Sequence, residues 1–544
     1  MKISVSSLGG AGEIGMNMYI YETDRYAVIV DCGVKFTNID DPGLDLIIPN
    51  FSYLEIIKEK EKLLVVTHGH EDHIGAISFL LKSHPEIIIA SNRYTYDLIE
   101  KKLKEHNINA DKEYYDDFKP FEWGDFEVTP YPISHSIHGA YGLKIKIENH
   151  MSFFHMSDYK IDLSPVTSCP FPINEFIKIG EEGIDCLLAD STNVLKKGFT
   201  KGEKQVVESI DNIFKNHKGR IFFTTFASNT ERIHTVINIA ENYGRKIVCE
   251  GSSLLKNIDT ARKYGKLKLD DSNILSRKQM EKYDEDKLLF IATGSQGEKA
   301  SVISKISEDD YSNIKVRKND LFIFSSRIIP GNEHRINEIV NNIYAKGGRV
   351  ITADDASIHV SGHAAMEDCR LLLNILKPNY VVPIHGEVKH LITHIDMAKS
   401  QGYKEENIIF FLAGQKLIFE NKKLQEVEEI PAGKMYVDLN MNEIMDIERV
   451  KLRKRLAING IVMVVNTAEK NKTIEENNLI IETEGFLLKE EYIHELKLSL
   501  IDYNEDKTNG QDLAFKEYAE IIVKKFFKKR FMKKPIIKII NTSA

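Results

Sequence analysis

At 544 residues, with 42% hydrophobic and 28% charged residues, the chain has a globular composition and is too long for one ordinary core, so two or three domains are expected. Its formal net charge of -8 excludes a uniformly basic coat, so any contact with nucleic acid must come from a local patch. The five cysteines, Cys32, Cys169, Cys186, Cys249 and Cys369, are scattered without a CxxC pair, which argues against a thiolate metal site or a disulfide framework and for a reducing compartment. The opening Met-Lys-Ile-Ser-Val-Ser lacks the apolar core of a secretory signal, and no run of about 18 apolar residues occurs, so a cytoplasmic protein with no membrane partner is expected.

Along the chain, Lys2 to Ser6 reads as a strand followed by Gly10-Ala-Gly12-Glu-Ile-Gly15, a GxGxxG match. A dinucleotide site requires the last glycine to open a helix, whereas Met16 to Glu22 reads as another strand, so a tight turn is expected instead. Further apolar runs at Tyr26 to Val30, Leu63 to Thr67, Ile87 to Ala90, Ile221 to Thr225, Leu288 to Thr293, Leu321 to Ser325 and Tyr380 to Ile384 read as strands. Helical periodicity follows several of them, at Asp72 to Leu81 and Ser228 to Ala240. Alternation from Phe121 to Ile147 predicts antiparallel strands. The class is therefore α/β with a mixed-sheet sandwich. Residues 196–356 read as a separate strand-loop-helix module, and the chain after about 450 as a small third domain ending in a basic run from Lys524 to Lys534. That run interleaves Phe526, Phe527 and Phe531, either as a phosphate-contacting surface or as a helix with its aromatics packed inward.

The chemistry concentrates at His68-Gly-His70-Glu-Asp72-His73, delivered by a strand and followed by a helix. In such a turn His68 and His70 point together, while Asp72 and His73 at the helix start face a neighbouring point, so two adjacent cations can be served. Imidazoles and carboxylates without thiolate suit Zn²⁺ or Mn²⁺. Six residues cannot complete two sites. Three partners occur where apolar runs end: His135 after Val128 to Ser134, Asp158 after Met151 to Ser157, and His385 after Tyr380 to Ile384.

This order of residues resembles the metallo-β-lactamase superfamily. The resemblance implies an αββα sandwich, with His68, His70 and His135 on one ion, Asp72, His73 and His385 on the other, Asp158 bridging, and Asp31 supporting the ligands from behind. Two ions can clamp a phosphodiester for in-line attack, but the same centre hydrolyses thioesters and lactams elsewhere, so the metals alone do not name the substrate. Asp190 in Leu187-Leu-Ala-Asp190-Ser-Thr192, His363 in Ser361-Gly-His363-Ala364, and His385 again, resemble the motifs of the β-CASP nucleases, and histidine at the last position favours RNA. The ordered blocks Asp190-Ser-Thr-Asn193, Phe226-Ala-Ser-Asn229, Thr293-Gly-Ser-Gln-Gly-Glu298, Pro330-Gly-Asn-Glu333, His359-Val-Ser-Gly-His-Ala364 and Pro383-Ile-His-Gly-Glu387 extend the resemblance to the ribonuclease J family over nearly the whole chain.

The resemblance implies a lactamase-type domain at 1–195 and 357–445, a β-CASP module at 196–356 and an α/β C-terminal domain at 455–544 that aids dimer formation. It further implies a two-metal-ion ribonuclease acting in RNA processing, maturation and decay, as a 5′-to-3′ exonuclease with internal cleavage. The ions expected are Zn²⁺, with Mn²⁺ or Mg²⁺ as alternatives. The partners expected are single-stranded RNA with a 5′-monophosphate, a homodimer or homotetramer, and an RNA-decay assembly. Asp72, Asp190 and His363 are the catalytic candidates, Asp190 being alternatively a helix cap. His359, Ser361 and Gly362, with His363, are candidates for a terminal phosphate pocket, and Phe226 and Ser228 for the RNA channel, although Phe226 equally suits a core position. The turn Gly294 to Gly297 has the same capacity to present N–H groups to phosphate.

Two departures stand out. The chain reads His135-Ser-Ile-His138-Gly-Ala140 where the family usually has Pro-Asp-Ser after the isoleucine, and Arg327 stands where a proline is more usual. His138 offers either a proton-transfer or outer-shell group or a water-exposed loop histidine. Competing readings are a small-molecule hydrolase on the same fold and a weakly active scaffold subunit.

Overall fold

The structure, a computed structural model, describes residues 1–544 except 38–40, 42, 299, 312, 330, 442, 469–471, 504–513 and 543–544. Pro330, in one of the quoted blocks, thus lies outside the described residues. Two compact units are distinguished, Met1–Phe36 with Ile47–Lys434, and Thr37–Leu46 with Met435–Ala544. Residues 37–46 and 435–445, assigned from sequence to the lactamase-type domain, fall in the second unit.

In the first unit two mixed sheets face each other. One runs Lys423–Glu429, Gln415–Glu420, Ile3–Gly9, Met18–Glu22, Tyr26–Val30, Glu61–Val65, Ile88–Ser91, Lys112–Tyr114; the other runs Phe121–Trp123, Phe126–Ile133, Ala140–Ile147, Met151–Met156, Cys186–Asp190, Tyr380–Ile384. Alternate side chains of both sheets, among them Val5, Tyr21, Val28 and Val65 from one and Leu143, Phe153, Leu188 and Val382 from the other, share one buried core. The period of two along each strand puts these residues on a single face. Helices Ile173–Glu182, Met366–Leu376 and Val388–Ser400 supply apolar residues to a second core behind the six-stranded sheet. The inserted module is a parallel five-stranded sheet, ordered Lys246–Glu250, Leu288–Ala292, Ile221–Thr224, Leu321–Phe324, Arg349–Ile351. Its strands are buried throughout their central members, as parallel strands covered on both faces must be.

The second unit holds a three-stranded sheet, Leu479–Glu484, Ile461–Asn466 and Ile536–Asn541, packed on helices Glu490–Ile501 and Phe515–Phe531. Phe526 and Phe527 are buried there, and Phe531 packs against the same core, so the aromatics of the basic run are structural. No helix of the described residues is long and apolar enough to cross a membrane.

Parallel pairing explains where the site forms. Tyr26–Val30 pairs with Glu61–Val65, Met151–Met156 with Cys186–Asp190, and the latter with Tyr380–Ile384, each in parallel register. Strands aligned in this way end together, so Asp31, His68, Asp158, Asp190 and His385 emerge at one edge of the sandwich.

Candidate metal centre

The single helix expected over Asp72 to Leu81 is two, Glu71–Ile74 and Ile77–Ser83. The carbonyls of the first turn are taken by outside donors: Val34 N–H to Glu71 O, Asn17 N–H to Asp72 O and Cys32 N–H to His73 O, at 3.0, 3.0 and 2.8 Å. The Ala76 N–H turns to Cys32 O instead of continuing the ladder. Close backbone approach makes Gly33 obligatory, since a Cβ there would lie 1.6 Å from Asp72 O. Thus the 31–34 loop holds the ligand turn by its backbone.

Three imidazoles converge on one point. His70 Nδ1 lies 3.1 Å from His68 Nε2 and 3.0 Å from His135 Nε2, and Asp158 Oδ2 lies 3.7 Å from the ring nitrogen of each of the latter two. On the other side Asp158 Oδ2 is 3.2 Å from His73 Nε2, while Asp72 Oδ2 is 3.8 Å from His73 Nε2 and 3.5 Å from His385 Nε2. Tetrahedral ligands at bond lengths of about 2.0–2.1 Å stand about 3.4 Å apart, and both sets of donor separations bracket that value. Each set, His68, His70, His135 with Asp158 and Asp72, His73, His385 with Asp158, keeps its donor atoms within 4.8 Å of one another. The residues present therefore fit two divalent cations sharing Asp158.

Electrostatics agree. Burial pushes His68 and His135 far below the ordinary imidazole value and His70 down to about 4, leaving neutral lone pairs aimed at a common point. Burial works the same way on His73 and His385, but Asp158, with Asp31 or Asp72, overrides it and raises His73 well above normal and His385 to about 10. Protons held at that corner are what a cation would displace. Asp158 itself, despite burial, is held well below the carboxylate range by His385 and His73.

A layer of supporting groups fixes these rings. Asp31, fully buried, accepts from Thr67 N–H and Thr67 Oγ1 at 2.8 Å each and lies 2.7 Å from His73 Nδ1. It does so at φ 63°, a conformation that aspartate tolerates better than most residues. Gly15 N lies 3.2 Å from His385 Nε2, so the rejected GxGxxG turn abuts the second donor set, and that N–H is the partner a cation would replace at this nitrogen. Asn17 Nδ2 donates to Asp72 O at 3.2 Å and lies 3.1 Å from His73 Nε2. Sequence reasoning missed Asn17 and Gly15; the signal was a polar residue and a glycine beside an otherwise apolar strand.

His363 Nδ1 lies 2.8 Å from Asp190 Oδ2 and 3.9 Å from Asp158 Oδ2, so this pair adjoins the bridging carboxylate. Against burial, Asp190 and Asp158 raise the proton affinity of His363. Asp190 Oδ1 also accepts the Thr192 N–H at 2.8 Å, but this closes a turn and no helix begins there, so the helix-cap alternative is not met. Gly362 O stands 2.8 Å from His135 Nδ1, which keeps the ring proton on Nδ1 and leaves Nε2 facing His70. Ser361 Oγ accepts the His363 N–H at 3.0 Å, and His359 is pushed to about 3 by burial and the charge of Arg232. Phe226 and Ser228 are half-buried on the turn into helix Thr230–Asn242.

The turn Gly294 to Gly297 is tied inside the inserted module: Gln296 Nε2 donates to Ser326 Oγ and Arg327 O at 3.1 and 2.8 Å, and its Oε1 accepts the Ile329 N–H. His138 is not a water-exposed loop residue; it is 4% exposed and packs edge-on to Tyr94 at 6.2 Å. His155, His390 and His394 are buried, and Ser191 Oγ lies 2.9 Å from His394 Nδ1.

Family models match three segments: "Metallo-beta-lactamase superfamily" at residues 11–146, "Ribonuclease J, beta-CASP domain" at 218–343, and "Zn-dependent metallo-hydrolase RNA specificity domain" at 352–409. The chain is 35% identical to ribonuclease J of Helicobacter pylori strain 26695 over 473 residues, 86% of this chain and 68% of that one. It is 35% identical to ribonuclease J of Mycolicibacterium smegmatis over 80% of this chain and 78% of the relative, and 33% identical to ribonuclease J of Mycoplasma genitalium over 86% and 83%. Among solved structures, a protein of unknown function from Enterococcus faecalis V583 shares the fold, with a TM-score of 0.53 at 15% identity over 77% of this chain and 100% of that one.

Proposed function

The chain belongs to the ribonuclease J family, and from that premise we propose a division of labour among the residues of its site. The protein is a metal-dependent nuclease that hydrolyses RNA phosphodiesters. His68, His70, His135 and Asp158 hold one divalent ion, and Asp72, His73, His385 and Asp158 the second, Zn²⁺ being the occupant that the imidazole-rich set suits best, ahead of Mn²⁺ or Mg²⁺. When bound, the ions supply Lewis acidity and a water made nucleophilic at neutral pH.

The observation that carries the assignment is the Asp190–His363 pair beside Asp158. Asp190 holds the Nδ1 proton of His363 and so aims Nε2 outward, toward a phosphodiester lying over the metal centre. The raised proton affinity keeps His363 charged further into the neutral range, where it stabilises developing negative charge and gives its proton to the departing 3′ oxygen. Asp72, one-third exposed, is the solvent-facing member of the second donor set and would orient an incoming water there.

His359, Ser361 and Gly362 form the terminal phosphate pocket. His359 is neutral there and acts as a hydrogen-bonding group, not as a charge. Phe226 and Ser228 line the channel that leads RNA inward. With these roles the protein carries out 5′-to-3′ exonucleolysis of single-stranded RNA with a preference for a 5′-monophosphate, together with internal cleavage; family membership, not the site, is the ground for reading it as a cytoplasmic homodimer or homotetramer that serves RNA decay. RNA labelled at its 3′ end and carrying a 5′-monophosphate, triphosphate or hydroxyl tests the reading. Faster decay of the monophosphate form, with single nucleotides released from the 5′ end, is expected; equal rates for all three would remove the phosphate pocket from the account.

A further inference from the structure

Arg232 is among the largest fully buried side chains of the described residues, yet it sits at the start of a helix in the inserted module. Its Nε and Nη2 donate to the two oxygens of Glu203 at 2.8 and 2.9 Å. Its Nη1 donates to Ser325 Oγ at 2.6 Å and to Ile358 O at 2.7 Å, and Ser325 Oγ in turn donates to the same Ile358 carbonyl at 2.6 Å. Glu203 precedes helix Lys204–Asn216, and Ser325 follows strand Leu321–Phe324, where its N–H donates to Thr224 O. One guanidinium thus gathers three parts of the module onto a single carbonyl.

That carbonyl is the root of a short segment whose far end belongs to the metal centre. Four residues on, Gly362 O meets the ligand His135; one further, His363 meets Asp190, and its carbonyl accepts from Asn193 Nδ2 and Thr200 Oγ1. Glu203 faces a second route to the same place. Lys160 Nζ, buried, lies 3.9 Å from Glu203 and 3.4 Å from Asp162, and the Lys160 N–H donates to Ser134 O, next to His135. An ordinary buried ion pair would need only the Glu203 contacts. Here half of the guanidinium is spent on the pivot of a loop, a fork geometry that lysine cannot reproduce.

We propose that Arg232, clamped by Glu203, is a positioning residue that fixes the root of the 358–363 segment and thereby seats His363 against Asp190 and beside Asp158. Through it the inserted module governs the chemical step, and not RNA binding alone. The inference rests on the ribonuclease reading of the same site.

The test uses the full, metal-loaded chain and compares wild type with Arg232→Lys, His363→Ala and the double variant. Single-turnover cleavage of 5′-monophosphorylated RNA by Arg232→Lys is expected to fall about tenfold or more, the cost of a displaced group, with the RNA Kd and metal content unchanged within about twofold. In the double variant the arginine change is expected to cost less than about twofold beyond His363→Ala, because both act through one group. Amide exchange of residues 358–363 is expected to quicken by about tenfold in Arg232→Lys while that of 221–224 stays as in wild type. Multiplicative losses in the double variant, an unchanged cleavage rate, or unchanged exchange of 358–363 would overturn the proposal. An inactive wild type would refute the ribonuclease reading alone, since the exchange measurement still decides the positioning claim. If Arg232→Lys does not fold, Ser325→Ala, which removes the hydroxyl between Arg232 and Ile358 O, is expected to give the same pattern at about threefold, and unchanged exchange in it overturns the proposal equally.

Discussion

Substituting Gly362 by alanine tests how tightly the loop must seat on the first ion's ligands. A Cβ at this position would lie 2.8 Å from both His135 Cε1 and Ser136 Oγ and 3.0 Å from His135 Nδ1. Ordinary carbon contacts begin near 3.5 Å, so about 0.7 Å must be opened. The His135 ring has little room to retreat, being 3.0 Å from His70 on one side and carrying the Gly362 carbonyl at 2.8 Å on the other. Either the ligand turns away from His70, or the carbonyl withdraws and takes His363 with it. Loss of a group that orients a metal ligand costs roughly 10–100-fold in affinity or activity, and a displacement approaching 1 Å near the chemistry costs about as much in rate. Gly362→Ala should therefore lose about tenfold or more in both zinc affinity and single-turnover RNA cleavage. Its thermal stability should change little, because overpacking of about 1–3 kcal/mol is partly offset by the lower entropy of the unfolded chain. Competition with a chromophoric chelator reads the first quantity and rapid-quench cleavage the second. Wild-type values for both in Gly362→Ala would refute the contact as a functional one.

Other outcomes follow from the same geometry. If His363 acts as an acid, activity is present below its raised proton affinity and lost as pH rises through it; Asp190→Asn removes the raising charge, so the alkaline limb of the kcat profile should move to lower pH. Asp31→Asn keeps the residue's shape and tolerance of φ 63° but not the carboxylate facing His73 Nδ1, and should weaken metal binding by about 10–100-fold with a smaller effect on folding, as read by metal analysis after dialysis. On acidification from pH 8 to about 5, the ion at Asp72, His73 and His385 should leave first, because two raised imidazoles take up protons there, whereas His70, near 4, and its partners stay neutral. Simultaneous loss of both ions would contradict that order.

Four of the candidate ligands, His68, His135, Asp158 and His385, were legible as histidine or aspartate ending an apolar run, and for His68, Asp158 and His385 parallel pairing brings those ends together; the allotment of the set to two ions came from the family resemblance and not from the strands. The helix after His73 was misjudged as continuous because its apolar periodicity runs through Ala76, while the donors that interrupt it come from residues 17 and 32–34, distant in sequence. His138 illustrates the reverse problem: in a loop flanked by glycine it reads as exposed, yet Asn92 Nδ2 donates to the Gly139 carbonyl at 3.0 Å and ties the loop down beside Tyr94. Arg232 and Glu203 were invisible for a related reason. A glutamate just before one amphipathic helix and an arginine in the first turn of another look like solvated surface, and only the tertiary fold turns both inward. The grouping of residues 37–46 with the second compact unit likewise depends on contacts with residues beyond 434, which carry no local signal in the segment itself.

The central claim is that Asp158 joins two cation sites into one hydrolytic centre, and metal titration into chelated protein, followed by RNA cleavage in the same samples, tests it most directly. Wild type should take up two ions per chain and cleave only as both sites fill, while Asp158→Asn should fail to hold the pair and cleave at less than about a hundredth of the wild-type rate. Undiminished cleavage by chelated wild type, or two retained ions with normal cleavage in Asp158→Asn, would contradict the account.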